Sequence, residues 1–291
     1  VTGNGGTTSG TNNYGVNISG TNALVTSSGG NVSVTGTGGG SGTSNSNGGI
    51  NLFNSGQITA GGMGTVTVIG NGGSGSSGNA GIGVYSNSLI TSSGGNVSVT
   101  GIEGSGSNSV GFLSYGSIST ATDGGGLSLT ANSMDIQPGA SVSTNAASTL
   151  TLRPFTAAAQ INLGSATDPI GGPLSLSDAE LDLMTTGTLI IGNATAGAIT
   201  VSSAITRPAA TNVQLISAGD VNLSGGGFNT AGGTLLLDPG NSPAAVKPTF
   251  TGTDVTASTL SFGSDLAIAI NGTTPGTQYD QLKVVGTINL T

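Results

Sequence analysis

The stretch Gly29-Gly30-Asn31-Val32-Ser33-Val34-Thr35-Gly36 returns letter for letter at Gly94-Gly95-Asn96-Val97-Ser98-Val99-Thr100-Gly101. Looser copies are Gly64-Thr65-Val66-Thr67-Val68-Ile69-Gly70 and Gly125-Gly126-Leu127-Ser128-Leu129-Thr130. Apolar and mostly hydroxyl-bearing residues alternate, so Val32 and Val34 face one way and Ser33 and Thr35 the other. That is the period-2 signature of a strand. Val32, Val66, Val97 and Leu127 are then equivalent positions, and their nearly constant spacing marks a repeated structural unit.

Two more bursts precede each copy. One is Leu24-Val25-Thr26, Gln57-Ile58-Thr59, Leu89-Ile90-Thr91 and Ser117-Ile118-Ser119; the other is Val16-Asn17-Ile18, Ile50-Asn51-Leu52, Ile82-Gly83-Val84 and Phe112-Leu113. Each repeat thus carries three short strands, none able to bury a face alone. Stacking every repeat on its neighbour solves this, and the chain is predicted to be an all-β parallel β-helix, or β-solenoid, with three short strands per coil. An antiparallel barrel or sandwich competes. The regular step from copy to copy, without paired hairpin signals, argues against it.

Composition sharpens the reading. Of 291 residues, 55 are Gly, only 4 are Lys or Arg and 12 are Asp or Glu, and His, Cys and Trp are absent. Lacking His and Cys, the chain has no Ser-His-Asp triad, thiol nucleophile, common zinc site or disulfide framework. A net charge of −8 with four basic residues speaks against nucleic acid and anionic membrane surfaces as partners. No run approaches the ~20 apolar residues of a spanning helix, and no cofactor is expected. Gly, Ser, Thr and Asn richness suggests disorder, but 34% hydrophobic residues and only 5% charged ones suggest a buried core instead. The glycines between bursts are expected to supply sharp corners with φ > 0. Stacked coils would set like charges ~4.8 Å apart, which accounts for the scarcity of charge.

Residues 1–132 are read as the regular repeats, and 133–291 as a less regular continuation of one solenoid with coils of about 20 to 30 residues. Ten to 13 coils would give a rod of about 50 to 60 Å. Ser177-Asp178-Ala179-Glu180-Leu181-Asp182 reads as one helical turn with a capping Ser and acids in its first turn. Gly/Ser-rich loops at 37–49, 71–81 and 103–108 recur at one place in each repeat. They are read as solvated spacers, with a variable binding face as the alternative.

Several residue sets invite chemistry. Phe53, Tyr85 and Tyr115 fall at equivalent places, as does Ser19, so stacking predicts an aromatic ladder. An exposed ladder would bind sugars, and a buried one would be packing. Asp178, Glu180 and Asp182 are the only carboxylate cluster. Paired acids can hydrolyse a glycoside, yet acids at a helix start are also structurally expected. Asp123, Asp168 and Asp220 are candidate calcium ligands, without a recognised calcium motif around them. The column Ser33, Thr67, Ser98, Ser128 invites an ice-ordering reading, which its mixed Ser and Thr and the neighbouring Ile69 weaken. The chain starts at Val1 with no signal peptide and is expected to be a processed product or excised segment. Val1 and Thr2 at one end, and Ile288 and Leu290 at the other, lie in strand-like sequence with no cap, so head-to-tail self-association is expected.

The Gly-rich half, from 15 to 130, resembles the β-strand repeats of giant bacterial surface proteins. The run Leu176-Ser177-Asp178-Ala179-Glu180-Leu181-Asp182, continuing through Thr186-Gly187-Thr188-Leu189-Ile190-Ile191-Gly192 to Ala198-Ile199-Thr200-Val201, resembles the filamentous-haemagglutinin type of β-helix. The segment 266–290, with Pro275-Gly276-Thr277-Gln278-Tyr279-Asp280-Gln281-Leu282-Lys283-Val284, is similar to an element of autotransporter-like passenger domains. The resemblance implies a right-handed β-helix, secreted or displayed on a bacterial cell surface, serving as an adhesin, stalk or fibre and contacting glycans, cells or copies of itself. It implies no catalytic residue.

Overall fold

The computed structural model describes residues 1–121, 124–165, 167, 171–223, 225–240, 248–249, 253–263 and 282–289. The chain is a parallel β-helix: every strand pairing among these residues is parallel and joins one coil to the next. Val32–Thr37, Val66–Asn71, Val97–Ile102 and Leu127–Thr130 stack in register in a long sheet, with Val32 opposite Val66, Val66 opposite Val97 and Val97 opposite Leu127. The same ladder runs on through Thr149–Arg153, Thr188–Gly192, Asn212–Ile216, Thr234–Asp238 and Thr253–Phe262 to Leu282–Asn289, and at the other end to Thr2–Asn4.

Two other sheets complete each coil. Val16–Ser19, Ile50–Phe53, Ile82–Val84, Phe112–Ser114 and Met134–Ile136 form the second. Leu24–Ser27, Gln57–Ala60, Leu89–Ser92, Ser117–Thr120, Ser141–Ser143 and Met184–Thr185 form the third. Alternation decides what lies inside. Val34, Val68, Val99, Leu129, Leu152, Ile191, Leu215 and Leu237 stack as one buried column, each on its like in the next coil. Each such side chain contributes roughly 1.5–3 kcal/mol by leaving water. Outward hydroxyls pair along the axis as well: Thr59 Oγ1 donates to Thr26 Oγ1 at 2.7 Å, and Ser119 Oγ to Thr91 Oγ1 at 2.9 Å.

Some glycines between strands have the expected positive φ, as Gly20 at 124°, Gly62 at 53° and Gly139 at 98° do, but one corner uses glycine for another reason. Gly36, Gly70 and Gly101, at the ends of long-sheet strands, do not have φ > 0. They face Gly49, Gly81 and Gly111, which open the second sheet. A Cβ on Gly36, Gly70 or Gly101 would come within 2.1, 2.2 and 2.0 Å of the carbonyl oxygen of Gly49, Gly81 and Gly111. Two passes of backbone cross here, and only hydrogen fits between them.

The loops that leave this crossing are not solvated spacers. They stack coil on coil, with Gly38 N–H donating to Asn71 O, Gly72 N–H to Ile102 O and Gly73 N–H to Asn47 O. Isolated bridges link Asn45 to Ser77 and Ser77 to Ser107. Inside runs an amide ladder: Asn13 N–H donates to Asn47 Oδ1 at 3.2 Å, Asn47 N–H to Asn79 Oδ1 at 2.9 Å, and Asn79 N–H to Ser109 Oγ at 3.1 Å. Asn47, Asn79 and Ser109 are fully buried. A buried amide is stable only when its donors and acceptors are used, and the stacking uses them.

One coil breaks the order. In a further sheet that continues the face of the second, Ile161–Leu163 pairs with Leu174–Leu176 on one side and Ile199–Val201 on the other. Leu174–Leu176 in turn lies beside Met134–Ile136. The chain therefore steps one level too far at Ile161–Leu163 and comes back to fill the gap with Leu174–Leu176. The long sheet advances by a single rung over the same stretch, from Thr149–Arg153 to Thr188–Gly192. On the third face the matching level is filled by a helical turn, Asp178–Asp182. It lies between Met184–Thr185 and Ile205–Thr206, and contacts both.

Candidate functional site

The corner between the second and third sheets carries the candidate site. In successive coils this corner is a β-turn, with Gly56 N–H donating to Phe53 O and Ser88 N–H to Tyr85 O. Asn54 and Ser55 both have positive φ, at 50° and 70°, and Asn87 has φ 65°. Asn tolerates that region, and Ser55 is held there at some cost. The aromatic side chain is the first residue of each of these turns, so it projects at the edge of the coil beside polar turn side chains.

The expected aromatic ladder forms, and it is on the outside. Phe53 is 44% and Tyr115 36% exposed, with Tyr85 half-buried between them. Phe53 meets Tyr85 edge-to-face at 84° with ring centroids 5.7 Å apart; Tyr85 stacks on Tyr115 at 10° and 5.9 Å. Tyr85 can lie back against the second sheet because the outward column beneath it, Asn17, Asn51, Gly83, Leu113, lacks a side chain at Gly83. A Cβ there would approach Tyr85 Cε2 to 2.8 Å. Burial, with smaller contributions from the phenols of Tyr14 and Tyr115, pushes the Tyr85 hydroxyl above its ordinary pKa. The three rings, with Gly20, Thr21, Asn54, Ser55, Ser86 and Asn87, line an open groove of about 720 Å³. Ser19 shares the column as Phe53's partner but contributes no ring.

The acidic cluster is engaged in structure. Ser177 caps the helical turn, its Oγ accepting from Glu180 N–H at 3.2 Å, while Glu180 Oε2 accepts from Ser177 N–H at 2.8 Å: a reciprocal capping box. Glu180 Oε1 accepts from Ile136 N–H at 3.0 Å, and Asp178 Oδ1 from Thr206 N–H at 2.7 Å. Arg207, 2% exposed, donates to the carbonyls of Leu181 and, at 2.7 Å, Met184. A guanidinium there adds donors to carbonyls at and just past the helix end and complements its dipole. Asp182 sits at the surface, its pKa raised by partial desolvation and by Asp178, and lowered by Arg207.

Among the described residues no group of three His, Cys, Asp or Glu is placed to hold a metal ion. Asp123 and Asp168 lie outside the described residues, and the Asp220 carbonyl accepts from Ile199 N–H. The Ser33, Thr67, Ser98, Ser128 column is in register, and it continues through Thr151 to Ile190, an apolar residue. At the ends, Thr2–Asn4 pairs only with Val32–Thr37 and Leu282–Asn289 only with Thr253–Phe262 among the described residues. Val1 and Ile288 are exposed, and Leu290 lies outside the described residues, as does most of the 266–290 segment.

Sequence reasoning missed Arg207, the Asn13–Asn47–Asn79 ladder and the double positive-φ turn at Asn54 and Ser55. Only the last two had a signal: Asn recurs shortly before the Gly that opens each second-sheet approach, and Asn-Ser is turn chemistry. The geometry defines a parallel β-solenoid with an aromatic corner groove. Comparisons with protein-family models, curated proteins and solved structures return no match.

Proposed function

We propose that the chain is a non-enzymatic, extracellular structural segment: a β-solenoid of the surface-adhesin or fibre kind, of the filamentous-haemagglutinin style that its sequence resembles. The observation that carries this reading is the uninterrupted parallel ladder, which runs from Thr2–Asn4 to Leu282–Asn289 among the described residues. A ladder of this kind lengthens by adding rungs, from further coils or from a second copy stacked head to tail. Uncharged outward columns of Ser, Thr and Asn support the same reading, since they can meet their like across such a junction. The capping duties of Asp178 and Glu180 weigh against the alternative of a carbohydrate-cleaving enzyme.

Electron microscopy and light scattering test the reading. The chain is expected to form rods that lengthen with concentration, and Thr2→Pro with Thr287→Pro is expected to stop growth by removing edge donors and distorting the edge. A monodisperse monomer at every concentration would contradict end-to-end stacking. Hydrolysis of a glycan lost in Asp182→Ala would contradict the non-enzymatic reading.

A further inference from the structure

We propose that the corner groove binds a neutral polysaccharide chain laid along the coil axis, with Phe53 and Tyr115 as its exposed aromatic contacts. This adds a ligand class to the surface-segment reading and rests on that reading only for where a glycan is met.

Three observations converge on the groove. The first is its lining. A pyranose has apolar C–H faces and a rim of hydroxyls, and the groove offers aromatic rings bordered by amides and hydroxyls from Thr21, Asn54, Ser55, Ser86 and Asn87. No charged side chain lines it, so a charged ligand would be desolvated without a counter-charge. The second is its periodicity. Phe53 and Tyr115 are two rungs apart, ~9.6 Å along the axis, which is close to the span of two sugar units. A polar turn recurs on the way, so a repeating ligand meets a repeating wall. The third is its rigidity. Tyr85 is fixed by its edge contact with Phe53, its stack on Tyr115 and the slot at Gly83. A surface ordered before binding loses less freedom when the ligand arrives.

The placement of these rings is costly for folding alone. The whole chain has only 10 Phe and Tyr, and three of them stand in this one surface column while Val, Ile and Leu fill the coil. A core role for the column is excluded by its exposure.

The test is a titration of the whole chain, followed by tyrosine emission, which no Trp obscures. The probes are cellohexaose, chitohexaose and xylohexaose, with hexagalacturonate and a decaproline peptide as chemically distinct competitors for an aromatic groove. At least one neutral hexasaccharide is expected to bind saturably. Phe53→Ala and Tyr115→Ala are each expected to weaken it about tenfold, ~1.4 kcal/mol. Met63→Ala, exposed elsewhere, is expected to leave it unchanged. If an Ala variant melts early, Phe53→Leu and Tyr115→Leu keep apolar bulk and remove the ring. The proposal is overturned if no neutral hexasaccharide saturates at millimolar concentration, if the double variant binds undiminished, or if decaproline or hexagalacturonate binds in their place. Failure of rod growth would leave these titrations unaffected, so the two readings fail separately.

Discussion

The first coils of the long sheet and those that follow solve the same packing problem in different ways. From Val32 through Val66 and Val97 to Leu127 the steps are nearly even, with a stacked loop flap closed by paired glycine columns. From Leu127 through Leu150, Leu189, Val213 and Leu235 to Leu260 they are uneven. The longest of them, Leu150 to Leu189, holds the out-of-order strand and the helical turn. The inner column does not register the change: Leu129, Leu152, Ile191 and Leu215 are all fully buried. Coil continuity thus depends on one in-register apolar ladder, whereas the excursions between strands are free to differ if their backbone groups find partners.

The largest effect expected from this contrast is at the glycine crossing. Gly70→Val places a branched side chain where even a Cβ meets Gly81 O at 2.2 Å. It should abolish cooperative folding of the first half or cost more than about 4 kcal/mol. Gly29→Ala, with open space around it and no positive φ, should stay within about 0.5 kcal/mol. Equal melting of the two variants would show that the corner glycines are not there for close approach.

If the ladder is equally tight on both sides of the irregular coil, Leu129→Ala and Leu215→Ala should each cost about 2–5 kcal/mol in denaturant unfolding. A much smaller cost for Leu215→Ala would mean that the second half is loosely packed and the comparison fails. Polar devices come next. Arg207→Ala removes the charged donors from the Leu181 and Met184 carbonyls and should cost about 2–3 kcal/mol, and Asn79→Ala breaks the flap's amide ladder for about 1–3 kcal/mol. Hydrogen exchange separates them: the first should open amides near 178–207, the second those of the loops.

The smallest effect is a pH dependence. The Tyr85 pKa is raised in the folded chain, so the folded state holds its proton longer than the unfolded one. The stability contribution is complete below the ordinary value near 10 and is lost as pH rises through and above it. Absorbance titration should show Tyr85 and the half-buried Tyr14 ionising late, and Tyr85→Phe should remove one of these two late ionisations and reduce the alkaline loss of stability. No late step would contradict the half-buried placement over Gly83.

Legibility followed repetition. The identical Asn-Val-Ser-Val-Thr copies revealed three strands per coil and their registers, and the equivalence of Phe53, Tyr85 and Tyr115 placed the aromatic column. Its exposure was not legible, because alternation assigns inside and outside within a strand but not at the turn that follows. Gly83, two residues before Tyr85, decides how that ring lies, and a single missing side chain leaves no periodic trace. The swap of Ile161–Leu163 and Leu174–Leu176 was hidden for a related reason: both read as Ile/Leu-polar-Leu strands, and nothing local says which level each occupies. Arg207 looked like a scattered charge, since its partners are backbone carbonyls 26 and 23 residues away.

The central claim is that one sheet runs unbroken past the irregular coil, gaining no rung there. Spin labels on the outward column measure this directly, and the chain has no native Cys to interfere. Ser33 and Ser128 are three rungs apart, and Ser33 and Gln214 six, through Thr67, Ser98, Ser128, Thr151 and Ile190. At ~4.8 Å per rung the two distances, about 14.4 Å and about 28.8 Å, should differ by about 14.4 Å. A difference of about 19 Å, one rung more, would place the displaced strand in the long sheet. A difference that matches no whole number of rungs would contradict the solenoid itself.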